Sequence, residues 1–165
     1  MTNKELYREF CKKNHQLPIF MQDWWLDAVC AGKEWDVMLC VKRGDEEMRL
    51  LGDEEMRRET EAPEEIVAAM PYLLRKRAWM QYILMPQQTQ IGGIWMSEDI
   101  TEDAEKVTAV CQQFARKLGE MGLSYYYQHY PIGSPAPQAM KTLGFKVKER
   151  VTYRIEDLRD LDKVI

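Results

Sequence analysis

The sequence predicts an α/β (α+β) domain with a mixed, mostly antiparallel sheet that carries helices on both faces. Three observations support this prediction. The periodic segments run in the order helix, helix, strand, strand, strand, helix, strand, helix, strand. The early strands follow one another like an antiparallel meander, whereas the later ones alternate with helices that would serve as crossovers. The 165 residues, of which 45% are hydrophobic, are enough for one core.

Two helices are predicted near the N-terminus. Thr2 and Glu5 have the spacing of a capping box, and apolar residues at helical intervals follow, so the first helix should cover 3–14. A second helix is predicted over 22–31, ended by Gly32. Its inward face should consist of four apolar residues: Trp24, Trp25, Ala28 and Val29.

Three strands are predicted next. Residues 35–42 are apolar on both sides, which is typical of a central strand. Residues 65–76 and 79–86 should form two strands joined by a tight basic turn. Pro71 lacks an N–H donor, so a bulge or a sheet edge is expected there.

Residues 44–64 form an acidic insertion that contains the hexamer GDEEMR twice. One repeated copy is too few for a repeat architecture, which buries its core by stacking several units. The segment is therefore interpreted as an enlarged, solvated hairpin loop, helical in part. Its acids lack the alternating spacing of a calcium-binding loop.

A long helix is predicted over 102–121, with Thr101 as its N-cap and Gly122 at its end. Its buried face should consist of five residues: Val107, Val110, Cys111, Phe114 and Leu118. A strand over 123–130 follows, then a short helix over 136–143.

The final predicted element is a strand over 145–155. Its apolar residues alternate with lysine, arginine and threonine, which is typical of a strand with one solvated face.

Charge and composition exclude several classes of protein. The net charge of −4 argues against DNA binding, which is typical of basic surfaces. No apolar run is long enough for a membrane span, and the N-terminus lacks the apolar core of a signal peptide, so a cytoplasmic protein is expected. The four cysteines are scattered without a C-x-x-C pair, which indicates buried, reduced thiols and no metal site.

Residues 134–155, SPAPQAMKTLGFKVKERVTYRI, resemble the GNAT acyltransferase element in which a short helix runs into Gly-Phe and a last strand. Ala136 and Gly144-Phe145 stand where that pattern expects them. The stretches FMQDWWLDAVC, IVAAMPYLLRK and PQQTQIGG resemble the N-terminal lobe of GNAT-like proteins related to the Fem aminoacyltransferases. The resemblance implies a single GNAT-like domain over 1–156, with residues 157–165 beginning a linker helix to a second lobe.

In such a protein the first lobe shapes an acceptor-substrate cleft and is not catalytic alone. The resemblance implies acyl-CoA or aminoacyl-tRNA as the donor in a full-length protein, and a small-molecule, peptide or sugar acceptor. The implied partner is the second GNAT-like lobe or a homodimer partner. One alternative is a non-enzymatic peptide- or sugar-binding module on a degenerate GNAT fold, and another is a self-sufficient acetyltransferase.

The family's pyrophosphate loop has the form R/Q-x-x-G-x-G/A at the start of the long helix, and this chain departs from it. Gln88, Gln90, Gly92 and Gly93 only partly match its spacing. Four acids crowd the helix start and would repel a diphosphate: Glu98, Asp99, Glu102 and Asp103. Met140 occupies the position of the family's usual tyrosine acid. These departures predict no cofactor in this lobe.

The candidate site residues lie near the end of the sheet. Tyr125, Tyr127 and His129 are spaced by two, so their side chains should share one face of a strand. His129 is a candidate general base, and a hydrogen-bonded structural histidine is the alternative. Gln87, Gln88 and Gln90 follow the end of a strand, where ligand sites tend to open; the alternative is a loop that satisfies its own backbone.

Two further clusters have alternative interpretations. Trp24 and Trp25 would stack on a sugar or peptide, or belong to the core. Arg75-Lys76-Arg77 would contact an acidic partner or tRNA, or form a solvated hairpin tip.

Overall fold

The computed structural model describes residues 1–30, 35–44, 48–51 and 65–151. The helices are α1 (Asn3–Lys13), a 3₁₀ turn (Ile19–Met21), α2 (Asp23–Cys30), α3 (Glu98–Thr101), α4 (Ala104–Glu120) and α5 (Ala136–Thr142). The strands are β1 (Trp35–Lys42), β2 (Arg49–Leu50), β3 (Glu65–Arg77), β4 (Met80–Leu84), β5 (Trp95–Met96) and β6 (Tyr125–Tyr126). Most of the acidic insertion and the predicted linker helix lie outside the described residues.

The strands form one mixed, mostly antiparallel sheet, as predicted. Its order is β2-β1-β3-β4-β6, and β5 pairs with β3 beside β4. The pairs are antiparallel except β4 with β6, which is parallel. A parallel pair needs a long crossover, and the chain between these two strands contains α3 and α4.

Helices cover both faces of the sheet. Alternate residues of β1 belong to two core clusters: Met38 and Cys40 pack with residues of α4 and α5, whereas Val37 and Leu39 pack with residues of α1 and α2. Side chains alternate across a strand, so the two clusters lie on opposite faces. The predicted α+β class with helices on both faces is confirmed.

Pro71 does not lie at a bulge, but β3 has a local edge there, which is the other arrangement that the sequence predicted. Pro71 pairs with Val37 of β1. On the other side of β3, Ala69 is the last residue paired with β5 and Leu73 is the first paired with β4. Pro71 therefore lies between two partner strands, where no ladder needs its missing N–H. The irregularity in the β1–β3 register falls between Cys40 and Val41 instead.

The structure agrees with the sequence-based prediction more closely for α1 than for α2. The capping box of α1 is confirmed, since the Glu5 amide donates to Thr2 Oγ1 over 3.2 Å and the Thr2 amide donates to Glu5 Oε2 over 2.7 Å. In α2 the buried residues are Leu26 and Cys30. Trp24 is 54% exposed and Ala28 is also exposed, so the predicted inward face was wrong at those two positions. Positions 24 and 28 lie two residues from the buried pair, which places them on the opposite side of the helix.

The long helix has the predicted buried face and a different start. All five predicted core residues of α4 are buried. The N-cap is Asp103, whose Oδ1 accepts from the amides of Glu105 and Lys106 over 2.9 and 3.2 Å. Thr101 instead ends the separate short helix α3, so the predicted cap was wrong. Gly122 follows the helix with a φ of +62°, a conformation that glycine adopts without a Cβ penalty.

The C-terminal elements are shorter than predicted. The strand expected over 123–130 is only β6, because its parallel partner β4 ends at Leu84. The short helix is confirmed as α5 and is followed by Gly144 at a φ of +93°. Residues 145–151 form no strand, so the predicted final strand was wrong there; the rest of it lies outside the described residues. The Phe145 amide bonds instead to the Met140 carbonyl over 3.1 Å, which turns the chain back onto α5.

Candidate functional site

Three side chains that follow one another at every second position form an exposed surface, here called the tyrosine face: Tyr125, Tyr127 and His129. The Tyr125 and Tyr127 rings are nearly parallel, with 6.3 Å between centroids and 19° between planes. The Tyr127 ring then meets the His129 ring edge-on at 4.9 Å. Tyr125 is 55% exposed and Tyr127 is 41% exposed. The predicted sharing of one face is confirmed, and flat ligand groups can stack on such rings.

His129 is hydrogen-bonded at both ring nitrogens. Nδ1 lies 3.2 Å from the Gln90 carbonyl oxygen, which can only accept, so Nδ1 carries the proton. Nε2 is then the acceptor, and it lies 2.6 Å from the Tyr127 hydroxyl and 2.9 Å from Arg150 Nη1. Two protons therefore lie within reach of the Nε2 lone pair, one on the Tyr127 hydroxyl and one on Arg150 Nη1. This arrangement fixes the imidazole and gives Tyr127 a hydrogen-bonded hydroxyl at the surface.

The glutamine loop, residues 87–93, lies beside the tyrosine face and is hydrogen-bonded to it. The side chains of Gln87, Gln88 and Gln90 are exposed. The main-chain carbonyl of Gln90 reaches the His129 ring. The loop is anchored on its other side, where Trp25 Nε1 donates to the buried Thr89 hydroxyl over 3.1 Å.

Gly92 and Gly93 allow the glutamine loop to press against the chain that follows the tyrosine face. The Gly92 amide donates to the His129 carbonyl over 2.6 Å, and the Gly93 amide donates to Gln128 Oε1 over 3.2 Å. A Cβ at Gly93 would lie 2.5 Å from the Tyr130 ring, and Gly93 has a φ of +78°. These amides are engaged within the protein, so they do not form a phosphate cradle of the kind the resemblance describes.

Tyr126 and Tyr130 are partly buried and pack against the core cluster that contains residues of α4 and α5. The Tyr126 and Tyr130 hydroxyls lie 3.2 Å apart, and burial raises the pKa of Tyr130 to about 12 and also raises the pKa of Tyr126. Both phenols are therefore protonated at neutral pH. Met140, where the resemblance to GNAT enzymes would place a tyrosine acid, is 2% exposed and belongs to the same core cluster.

The two tryptophans of α2 have different environments. The Trp25 ring meets Phe20 edge-on at 5.1 Å and bonds to Thr89, so it is a packing residue. Trp24 meets Trp25 at 6.1 Å and is exposed, so it offers a second aromatic surface. Phe20 and Thr89 were not identified from the sequence, since neither belongs to a polar or aromatic motif.

Sequence reasoning also missed the position of Arg75. The register pairs Arg75 with Tyr82 and Tyr82 with Tyr125, so these residues form one row across three strands. Arg75 is half-buried, whereas Lys76 and Arg77 are exposed. Its Nε is buried and has no hydrogen-bond partner among the described residues. A buried donor left unpaired costs about 1–3 kcal/mol.

The four cysteines are buried and unpaired by disulfides, as predicted. Burial raises the pKa of Cys11 and of Cys111 to about 11 and that of Cys40 to about 12, so these thiols stay protonated at neutral pH. Within the described ranges, no three His, Cys, Asp or Glu side chains are grouped to hold a metal ion. No helix in that part of the chain is long and apolar enough to cross a membrane.

Comparison of the chain with protein-family models, with curated proteins and with solved structures found no match. Function must therefore be inferred from the chain's own geometry. The features that bear on it are the exposed tyrosine face, the hydrogen-bonded His129 and the half-buried Arg75 in the same row as Tyr125.

Proposed function

We propose that this chain is the N-terminal, acceptor-binding lobe of a GNAT-like acyl or aminoacyl transferase. It holds the acceptor on the tyrosine face and is not catalytic alone. The observation that carries the proposal is the pair of exposed, parallel tyrosine rings beside an imidazole held by three hydrogen-bond partners. Large, rigid aromatic groups bind flat ligand surfaces at low cost in conformational entropy. The fixed imidazole of His129 holds the Tyr127 hydroxyl in one orientation through their hydrogen bond.

The absence of autonomous catalysis is supported by the loop and the helix start. The amides of Gly92 and Gly93 bond within the protein. Glu98 and Asp99 open α3, and Asp103 caps α4, so carboxylates occupy the helix termini that would otherwise attract a diphosphate. A second GNAT-like lobe, or a homodimer partner, would supply the binding site for acyl-CoA or aminoacyl-tRNA.

The acceptor class that fits the tyrosine face is a peptide or a sugar. A peptide group or a pyranose ring presents a flat surface to an aromatic ring, and both carry groups that bond to hydroxyls and amides. The Tyr127 hydroxyl and the exposed amides of Gln87, Gln88 and Gln90 supply such partners.

Saturation-transfer NMR with triglycine and with N-acetylglucosamine tests this assignment. We expect signal transfer to at least one probe with the unmodified chain and its loss in Tyr125→Ala. Trp24→Ala is the matched control, because Trp24 and Tyr125 have nearly equal exposure, 54% and 55%. Loss of transfer in Trp24→Ala alone would move the site to α2, and transfer to neither probe from the unmodified chain would contradict the proposal.

A non-enzymatic peptide- or sugar-binding module is the second candidate. It uses the same tyrosine face, and the engaged glycine amides and buried Met140 favour it equally. The two functions differ in the behaviour of any longer protein that contains this lobe. Transfer of an acyl group from acetyl-CoA or aminoacyl-tRNA to the bound acceptor would select the transferase, and binding without transfer would select the module.

A further inference from the structure

We infer that the tyrosine face recognises acceptors that carry a carboxylate, and that Arg75 binds this carboxylate. The inference rests on the proposed function, because it assigns the charge of a ligand held on the same face. It also places Arg75, Tyr82 and Tyr125 in one binding surface.

The strand register brings these residues together. Arg75 on β3 pairs with Tyr82 on β4, and Tyr82 pairs with Tyr125 on β6. Paired residues of neighbouring strands project to the same face, and neighbouring strands lie about 4.8 Å apart. Arg75 therefore stands two strands from Tyr125, with Tyr82 between them.

The helices α1 and α2 cover this face of the sheet as far as Leu73, which precedes Arg75 on the same side of β3. Leu73 belongs to the core cluster under α1 and α2, and Arg75 is the next residue of β3 on the same side. Beyond it, Tyr82 is partly exposed and Tyr125 is mostly exposed. The row thus runs from the rim of the core into solvent, as a shallow site for a ligand would.

Arg75 has an unused binding capacity. Its Nε is buried without a hydrogen-bond partner, and none of the ion pairs within the described part of the chain involves it. Arg8, by contrast, pairs with Asp23 and Asp27. A guanidinium presents a planar fork of donors that matches the two oxygens of a carboxylate.

The number of available cations favours a carboxylate over a phosphate. Arg75 is the one guanidinium in the row with Tyr82 and Tyr125. Arg77 lies on the same face but opposite Met80, nearer the hairpin turn, and Arg150, at the other end of the tyrosine face, already donates to His129. A phosphate monoester carries up to two negative charges and three acceptor oxygens, so it calls for more donors than one guanidinium supplies.

The test uses three small probes with one flat ring each: benzoate, its neutral isostere benzamide, and phenyl phosphate. Their affinities for the full chain are measured by ¹H–¹⁵N NMR titration. We expect benzoate to bind about tenfold more tightly than benzamide, because a charge-assisted hydrogen bond is added. Arg75→Gln should weaken benzoate binding about tenfold and leave benzamide unchanged. Arg75→Lys should retain part of the preference. Lys76→Gln is the matched control, because Lys76 is an exposed cation that projects to the other face of the same strand.

Each outcome decides the inference. Equal affinities for benzoate and benzamide would overturn it even if Arg75→Gln failed to fold, since both probes are compared on the unmodified chain. Tighter binding of phenyl phosphate than benzoate would overturn the assignment to a carboxylate. If benzamide shifts the Tyr125 and Tyr127 resonances as strongly as benzoate, the proposed function stands and the inference falls. If no probe binds the tyrosine face, both fall.

Discussion

His129 is the residue whose chemical state the structure defines most closely. Its Nδ1 faces a carbonyl oxygen and its Nε2 faces two donors, from Tyr127 and Arg150. The neutral ring should therefore exist as the Nδ1–H tautomer. The side-chain ¹⁵N shifts of His129 check this tautomer directly. Tyr127→Phe should leave it unchanged, because the Gln90 carbonyl selects it; an Nε2–H tautomer in the unmodified chain would contradict the hydrogen-bond assignment.

Asp27 connects the first two helices to the sheet. Its carboxylate accepts two hydrogen bonds from Arg8 over 2.7 and 2.8 Å and one from Trp35 Nε1 over 2.8 Å. The hydrogen bonds from Arg8 are the main cause that lowers the pKa of Asp27. Because the folded-state pKa lies below the unfolded value of about 3.9, the pair contributes stability above that pH, and the contribution is lost as pH falls through the folded-state pKa.

Asp27→Asn should therefore lower the free energy of unfolding by about 1 kcal/mol at neutral pH, a value kept small because the carboxylate is partly exposed. The difference from the unmodified chain should shrink as pH falls below about 3.9. Urea unfolding at a series of pH values measures both. Glu9→Gln is the control, since Glu9 pairs with Lys12 alone on the exposed side of α1. A difference for Asp27→Asn that is constant down to acid pH would contradict the assigned ion pair.

At the scale of elements, the N-cap of α4 in the structure differs from the one that the sequence predicted. Asp103 accepts two amide hydrogens of the first turn, whereas Thr101 bonds to the Glu98 carbonyl within α3. Asp103→Ala should lower Tm by about 2–4 °C, as expected for a lost N-cap in a chain of this size. Thr101→Ala should cause a smaller loss. Thermal unfolding followed by circular dichroism compares the two variants. A larger loss of Tm for Thr101→Ala would identify Thr101 as the N-cap and contradict the role of Asp103.

The packing of the glutamine loop against residues 128–130 gives a second prediction for an element. An alanine at Gly93 would combine a left-handed backbone with a Cβ only 2.5 Å from the Tyr130 ring, so Gly93→Ala should destabilise the fold by about 2–5 kcal/mol. Gly122→Ala is the matched control, because Gly122 also has a positive φ but its Cβ would meet open space. It should cost about 1–2 kcal/mol, from backbone strain alone. Equal costs in urea unfolding would show that the loop is not closely packed.

The elements also show what the sequence could predict. The buried face of α4 was predicted residue by residue, because five apolar residues at helical spacing leave one rotation for the helix. Trp24 was misplaced because α2 has apolar residues on more than one side, and packing against α1 and β1 selects the side that is buried. The strand over residues 145–151 was not formed, because alternation of side chains does not guarantee a neighbouring edge with which to pair.

At the scale of the whole molecule, the sheet brings together residues that the chain keeps far apart. The shared face of Tyr125, Tyr127 and His129 was predictable, since it depends on local spacing alone. The row of Arg75, Tyr82 and Tyr125 could not be predicted from local spacing, because it depends on the pairing of three strands. The turn at Ala78 and Trp79 sets the pairing of Arg75 with Tyr82, but the parallel pairing of β4 with β6 depends on the α4 crossover. The part of the candidate site that depends on the pairing of distant segments therefore could not be predicted from the sequence.

We expect the molecule to bind its acceptor without an acyl donor, with ligand contacts confined to one side of the segment from Tyr125 to Tyr130. Alternation places Tyr125 and Tyr127 in solvent and Tyr126 and Tyr130 against the core. The four rings therefore act as paired reporters on the two sides of one short stretch of chain.

The most direct measurement is ¹⁹F NMR of the chain labelled with 3-fluorotyrosine, titrated with triglycine and N-acetylglucosamine in the presence and absence of acetyl-CoA. Resonances are assigned by single Tyr→Phe changes. We expect the Tyr125 and Tyr127 resonances to shift with at least one probe, those of Tyr126 and Tyr130 to stay unchanged, and acetyl-CoA to alter neither result. Shifts caused by acetyl-CoA alone, or no shift at Tyr125 and Tyr127 with either probe, would contradict an acceptor-binding lobe.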